Sequence, residues 1–189
     1  MSIRDVIERA RREPPYVSPG GLFPDNPAVC TVFDPIPWDR RAIEQTLGFE
    51  LPAEVVELWN ICGGLRIYCD DLWCPGGLVV FPPTEGNLVK QNSRYQRIWR
   101  DGMLPGDFVF AKFQDVGEPP VLRCDKKAAD YGCVIMVAEG EPRDEWYKAA
   151  SSLEEFLLKY MDAHGEKYWE YHYQKKLAEK AALEAQRNK

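Results

Sequence analysis

Apolar residues recur every three or four positions in four stretches of the chain, and each stretch predicts an amphipathic helix. Ser2 precedes the first helix as a cap, and Pro14 and Pro15 end it. Two overlapping capping boxes precede the last helix, Ser151 with Glu154 and Ser152 with Glu155. The predicted helices cover residues 3–13, 38–47, 52–62 and 153–164.

Between the third and fourth helices the apolar period shortens to about two residues, which is typical of strands. The predicted strands cover residues 65–69, 78–81, 107–113, 121–124 and 133–138, with a helical or irregular excursion at 84–106. Because the strands follow one another through short links, they favour a mostly antiparallel sheet. Helices before and after the strands must cover that sheet, so the pattern predicts an α+β fold with N-terminal helices and a C-terminal helix.

The ends of the chain differ from its middle. Residues 14–37 contain seven prolines and a pair of glycines, which predict an extended arm without a regular element. The last residues are rich in Lys, Glu and Ala, and predict a solvated helix. We therefore divide the chain into an N-terminal helix and arm (1–37), a central domain (38–165) and a charged C-terminal helix (166–189). The aromatic residues at 168–173 either pack on the domain or dock a partner.

The net charge of −6 is unevenly distributed. Residues 1–13 carry +1 and residues 164–189 carry +2, so the middle of the chain carries −9. An acidic body is poorly suited to nucleic acids, whose binding depends on cations that replace counterions. It fits a basic protein partner, although the same charge also serves solubility alone.

No stretch of the sequence predicts insertion into a membrane. The longest apolar run has about five residues, whereas a membrane-spanning helix needs about 20. The first 15 residues carry charges every few positions and lack the apolar core of a secretory signal. These features favour a cytoplasmic protein, in which the six cysteines stay reduced.

Cysteines and histidines are the first candidates for a metal site or a catalytic site. Cys69 with Cys74 and Cys124 with Cys133 could form a four-thiolate zinc site, but the second pair is too widely spaced for one knuckle, and buried thiols are favoured. His164 and His172 are the only histidines, and no cysteine is singled out as a nucleophile beside them. His164 is interpreted as a core or edge residue.

The remaining polar candidates favour binding over catalysis. Asp70 and Asp71 follow a strand and precede Trp73. Such a pair could bind a metal or act in acid–base chemistry, but a solvated turn or a partner-facing patch fits better. The glycine pairs lack the spacing of a phosphate-binding loop. The sequence therefore predicts no catalytic residue, no cofactor and no metal site.

One segment carries a family resemblance. Residues 47–64, LGFELPAEVVELWNICGG, combine a Leu-Gly-x-x-Leu-Pro turn, after Glu44, with a helix that ends at two glycines. Later motifs follow in matching order: Pro105-Gly106-Asp107, Asp125, Gly132 and the Ser-Leu-Glu-Glu-Phe-Leu run at 152–157. Together, over roughly residues 38–162, they resemble the SUKH superfamily, which includes Smi/Knr-like cell-wall regulators and bacterial immunity proteins.

The resemblance implies a SUKH-like fold and a non-enzymatic domain that binds another protein. For a bacterial member it implies an immunity protein that neutralises a toxin, often a nuclease, and a basic toxin would suit the acidic middle. A regulatory or scaffold module of the same fold is the alternative, followed by a zinc protein or an enzyme. The candidate partner-binding residues are Asp70, Asp71, Trp73, Glu118 and Asp125.

Overall fold

A computed structural model describes residues 2–17, 27–70, 77–114 and 117–170. The helices in these ranges are α1 (Ile3–Arg12), α2 (Arg40–Leu47), α3 (Ala53–Ile61), α4 (Glu85–Ile98), the 3-10 helix Arg143–Glu145 and α5 (Leu153–Asp162). The strands are β1 (Val29–Val32), β2 (Leu65–Cys69), β3 (Leu78–Val80), β4 (Asp107–Val109), β5 (Ala111–Phe113), β6 (Pro120–Arg123), β7 (Val134–Met136) and β8 (Tyr147–Ala150). The mixed content confirms the predicted α+β class.

The strands form two antiparallel sheets of four strands, ordered β1-β2-β3-β5 and β4-β6-β7-β8. β4 and β5 belong to one stretch of chain, which was predicted as a single central strand, and only Phe110 separates them. The stretch changes partner at this residue: Val109 pairs with Val121 of β6, whereas Ala111 pairs with Val80 of β3. One continuous segment, residues 107–113, therefore contributes a strand to each of the two sheets.

Helix α1 belongs to the main core. Ser2 caps it in a reciprocal capping box with Asp5. Four apolar side chains on one face are buried and pack mainly against α3 and β1: Ile3, Val6, Ile7 and Ala10. The predicted N-terminal helix is confirmed, because the apolar face that predicted it has the rest of the core to cover it.

The segment that carries the family resemblance folds as its sequence indicates. Gly48 ends α2 in a left-handed conformation, with φ of 79°. The Glu44 carboxylate accepts the Leu51 N–H at 2.8 Å and holds the turn that leads to α3. Trp59 of α3 is buried and its indole N–H donates to the carbonyl of Phe81 at 3.1 Å. Most of the apolar residues of this segment therefore contribute to the core.

Two strands were not predicted. The arm at 14–37 was expected to lack a regular element, and this was wrong for β1, which pairs with β2. β8 was also missed, and it pairs with β7. Both strands have four residues, so each is defined by the partner strand beside it more than by its own apolar pattern. Helix α2 begins at Arg40, later than predicted, because the Asp39 side chain caps it.

The chain reverses after α5 and returns to the core. His164 and Gly165 both have positive φ, 50° and 83°. The turn places Trp169 against the domain with only 6% of its surface exposed, while Tyr168 donates from its hydroxyl to the carbonyl of Ala149 at 3.1 Å. Of the two roles left open for the aromatic residues, these two pack on the domain, whereas Tyr171, His172 and Tyr173 lie outside the described residues.

Replacing Gly165 with alanine is expected to cost more stability than the same change at Gly48. Both positions have positive φ, which costs an L-residue about 1–2 kcal/mol. A Cβ at Gly48 meets no atom within 4 Å, whereas at Gly165 it meets the Tyr68 ring and Cβ at 3.0–3.3 Å. Crowding of this kind adds about 1–3 kcal/mol. Urea unfolding of both variants measures the difference, and equal losses would contradict the expected crowding.

Candidate functional site

A cavity of about 250 Å³ opens where the two sheets part. Its apolar wall takes residues from β5, β7, β8 and the returning C-terminal segment: Phe113, Met136, Val137, Ala138, Tyr147 and Trp169. Phe113 and Trp169 stand with ring centroids 5.3 Å apart. Its lining joins Phe113 of β5, in one sheet, to residues of and after β7 and to Tyr147 of β8, in the other. We call it the inter-sheet cavity.

A second cavity, of about 380 Å³, adjoins the first and shares Phe113, Glu118 and Glu139 with it. Its other wall is the end of α4, where Ile98 is 53% exposed. Trp99 also lines this cavity, and its indole N–H is buried without an acceptor among the described residues. The two cavities together form a continuous concave surface across one end of the sheets, which we call the sheet-end surface.

Charged side chains surround the inter-sheet cavity. Glu118, Glu139, Glu170 and Lys167 are among the residues that line it. Within the described part of the chain, no ion pair involves any of these three carboxylates. The Lys167 Nζ lies 5.8 Å from the centroid of the Phe113 ring. The cavity therefore combines aromatic walls with an excess of negative charge.

The structure separates the predicted partner-binding residues. Glu118 lies on the sheet-end surface, before β6. Asp125 lies beyond the opposite end of β6, where its carboxylate accepts from the Arg123 guanidinium at 3.3 Å and from the Lys127 N–H at 3.0 Å. Asp70 directly follows β2 and is half-buried, and Asp71 and Trp73 lie outside the described residues. The five residues therefore remain predictions as a binding set.

The sequence did not single out Phe113, Glu139 or Trp169 as site residues. Phe113 was expected inside a central strand, and Trp169 was one of several aromatic residues in a solvated helix. A usable signal was the acidic turn after β7, where Glu139 and Glu141 flank a glycine. The cavity was missed because it depends on the change of partner at Phe110, which strand periodicity does not reveal.

A buried ion network lies at the other end of β4. The Asp107 side chain is fully buried, and its carboxylate accepts from Arg143 at 2.9 and 3.2 Å, from Arg123 at 3.3 Å and from the Leu104 N–H at 2.8 Å. Burial raises the pKa of this carboxyl, although the N–H and the two guanidinium groups oppose the shift. Arg143 also lies over the Trp146 ring at 4.7 Å. The network joins β4, the end of β6 and the 3-10 helix, so we assign it a structural role.

A second polar cluster surrounds Tyr68, which has an unusual φ of 51° for an aromatic residue. Its hydroxyl lies within hydrogen-bonding distance of Glu13, of the Met161 carbonyl at 3.1 Å and of the His164 Nδ1 at 3.3 Å. The His164 ring stacks on Tyr16 with centroids 4.6 Å apart. Burial is the largest cause that raises the pKa of Tyr68. His164 therefore joins the arm, β2 and the end of α5, which is the edge role interpreted from its sequence.

The described cysteines are mostly buried. Burial raises the pKa of the Cys30 thiol to about 11, and raises the pKa of Cys62 and Cys124 in the same way. Thiols in such surroundings stay protonated at neutral pH, and the thiolate is the form that attacks or binds metal. Across the ranges that the structure describes, no group of three His, Cys, Asp or Glu residues could hold a metal ion. Cys74 lies outside these ranges.

A search of the described helices for one long and apolar enough to cross a membrane finds none.

Comparison with known families identifies a relationship for most of the chain. A model of the SMI1 / KNR4 family (SUKH-1) matches residues 37–159. The match runs from just before α2 into α5, and it confirms the resemblance found over residues 38–162. It leaves out α1, β1 and Trp169, which the structure places in the same core. A comparison with curated proteins gave no match.

Proposed function

The chain belongs to the SMI1/KNR4 family (SUKH-1), and from this premise we propose that it is an immunity protein that binds a protein toxin and neutralises it. Membership supports an immunity or regulatory role in general. Immunity proteins of the SUKH family generally bind protein toxins, and the family is generally non-catalytic. The family match over residues 37–159 is the observation that carries the proposal.

Charge supports a basic toxin, such as a nuclease, as the partner. The middle of the chain carries −9, and complementary charge accelerates the encounter of two proteins. A nuclease is commonly basic where it binds nucleic acid, because phosphate contacts rely on Lys and Arg. An acidic protein bound over that surface would exclude the nucleic acid. The proposed mechanism is therefore occlusion of the toxin, without a chemical step.

The alternative is a regulatory or scaffold module that docks through its C-terminal helix, residues 166–189. That hypothesis needs the aromatic residues of this segment to face a partner. Trp169 is buried against the domain, and Tyr168 bonds to Ala149. Two of the aromatic residues are thus engaged within the chain, which favours the immunity hypothesis.

Co-expression tests the proposal. We expect cells that express a toxin encoded beside the gene of this protein to grow only when the full-length protein is also present. We expect an inactive form of the same toxin to bind the purified protein in solution with a Kd in the nanomolar range, roughly 10⁻⁷–10⁻¹⁰ M. A toxin from an unrelated locus serves as the control and should neither bind nor be neutralised. Absence of both binding and protection for every neighbouring toxin would refute the proposal.

A further inference from the structure

We propose that the inter-sheet cavity receives an arginine side chain of the partner protein. The inference rests on the proposed function, because it assigns the docking surface for the toxin. An arginine side chain combines an apolar stem with a planar cation, which stacks on aromatic rings and pairs with carboxylates. The cavity offers both kinds of contact in one concave space.

The walls of the cavity suit the apolar stem and the planar guanidinium group of an arginine side chain. Phe113, Tyr147 and Trp169 supply aromatic surface, and Met136 supplies a flexible apolar side chain. A volume of about 250 Å³ corresponds to about eight water-sized groups, at about 30 Å³ for each water. This space suits one long side chain and is too small for a folded element.

The charges fit the cation. Glu118, Glu139 and Glu170 line the cavity without an ion pair among the described residues. Lys167 is the one cation among the lining residues that the structure describes. The position of Lys167, 5.8 Å from the Phe113 centroid, places a positive charge on the aromatic wall within the chain itself. An arginine of the partner protein would find more carboxylates than cations among the described lining residues, and an aromatic ring face like the one that Lys167 contacts.

The surrounding surface offers apolar contact, while its charges are mixed: Arg94 and Lys112 line the second cavity together with Glu118 and Glu139. Ile98 beside the second cavity is 53% exposed and offers an apolar contact next to the charged lining. Binding sites between proteins commonly centre on one anchoring side chain, often arginine, with apolar contacts around it. We therefore place the anchoring arginine of the partner in the inter-sheet cavity. The rest of the sheet-end surface would contact the residues around that arginine.

Titration with a small probe tests the cavity independently of any toxin. The probe is N-acetyl-arginine methylamide, and the matched neutral probe is the citrulline compound, which has nearly the same shape. We expect the arginine probe to shift the NMR signal of the Trp169 indole, identified with Trp169→Phe, and to bind at least about tenfold more tightly than citrulline. Equal binding of the two probes, or shifts confined to other surfaces, would overturn the proposal.

Variants connect the cavity to the toxin. We expect E118Q/E139Q to weaken binding of both the arginine probe and the toxin at least about tenfold. The melting temperature should stay unchanged, because neither glutamate forms an ion pair with another described residue. Glu57→Gln is the control, since Glu57 lines a separate cavity beside α3. A toxin that binds E118Q/E139Q as tightly as the unchanged protein would overturn this inference and leave the proposed function standing. If no toxin binds the unchanged protein, the proposed function fails. The probe titration still decides whether the cavity binds arginine.

Other occupants have their own signatures. A second copy of the chain would give a dimer at high concentration that E118Q/E139Q abolishes. The chain's own residues 171–189 would block the cavity, so that the probe would bind only after truncation at Glu170. Either result would overturn the proposal. A monomer that binds the probe equally with and without residues 171–189 supports it.

Discussion

Asp107→Ala is expected to lower the free energy of unfolding by about 3–5 kcal/mol, because it removes the buried carboxylate between two largely buried guanidinium groups. Arg143 then loses the carboxylate that it binds, whereas Arg123 keeps Asp125 and Asp130. The Arg123 and Arg143 guanidinium groups both point at this carboxylate, and the Arg123 side chain is only 7% exposed. The Leu104 N–H loses its acceptor as well. The expected loss measures the penalty of burying Arg143 without its carboxylate and of weakening the contacts of Arg123. An intact buried ion network can still contribute little net stability. Urea unfolding followed by tryptophan fluorescence gives the value.

Asp130→Ala is the matched control. It removes a carboxylate from the same arginine, at 3.4 Å from the Arg123 Nε, but the Asp130 side chain is 41% exposed. Solvent screens such a pair, so the expected loss is below about 1 kcal/mol. Similar losses for the two variants would contradict the structural role of the network.

A double variant separates the two arginines. If Arg143 is destabilising once Asp107 is absent, then D107A/R143A should lose less stability than the sum of the two single changes. Coupling of about 0.5–3 kcal/mol is usual for residues in one network. A purely additive result would show that Arg143 is solvated in the Asp107 variant.

Trp169→Ala is expected to cost about 3–5 kcal/mol, the range for removal of a large buried aromatic side chain. Trp169 is 6% exposed and contacts Phe113, Phe156 and Tyr160, with ring centroids 5.3–6.1 Å apart. Its loss would open the inter-sheet cavity into the core. Thermal and urea unfolding both report this, and arginine-probe binding should disappear in the same variant.

Tyr168→Phe is the control for this position. It keeps the ring and removes only the hydrogen bond to Ala149, at about 0.5–1.5 kcal/mol. Deletion of residues 166–189 should destabilise the domain as Trp169→Ala does, whereas a truncation after Glu170 keeps every contact described for Trp169. A domain that stays fully stable without residues 166–189 would refute the packing and restore the C-terminal docking hypothesis.

The candidate site could be predicted only in fragments. Glu118 was predicted as a partner-facing residue, and it does line the sheet-end surface. Its neighbours in that surface come from β5, β7, β8 and the C-terminal segment, which are far apart in the sequence. Asp70 and Asp125 looked equivalent to Glu118 as exposed acidic residues, yet Asp125 instead supports the arginine network. The sequence pattern of surface residues does not predict which of them lie close together in the folded protein.

Local signals determined the helices and most of the strands. The Ser2 capping box, the Gly48 stop and the apolar face of α3 each act within a few residues, so the sequence alone predicts their structure. The same holds for the family assignment, because its motifs combine local turns with strand and helix ends. The α+β class follows from their order.

Only the tertiary structure determines which strands pair and where the chain passes from one sheet to the other. Four-residue strands such as β1 and β8 need a partner backbone to be strands at all. The change of partner at Phe110 and the return of Trp169 onto the core depend on contacts between residues far apart along the chain. Local propensity carries no record of such contacts, which is why the acidic, aromatic-walled cavity emerges only when both sheets are in place.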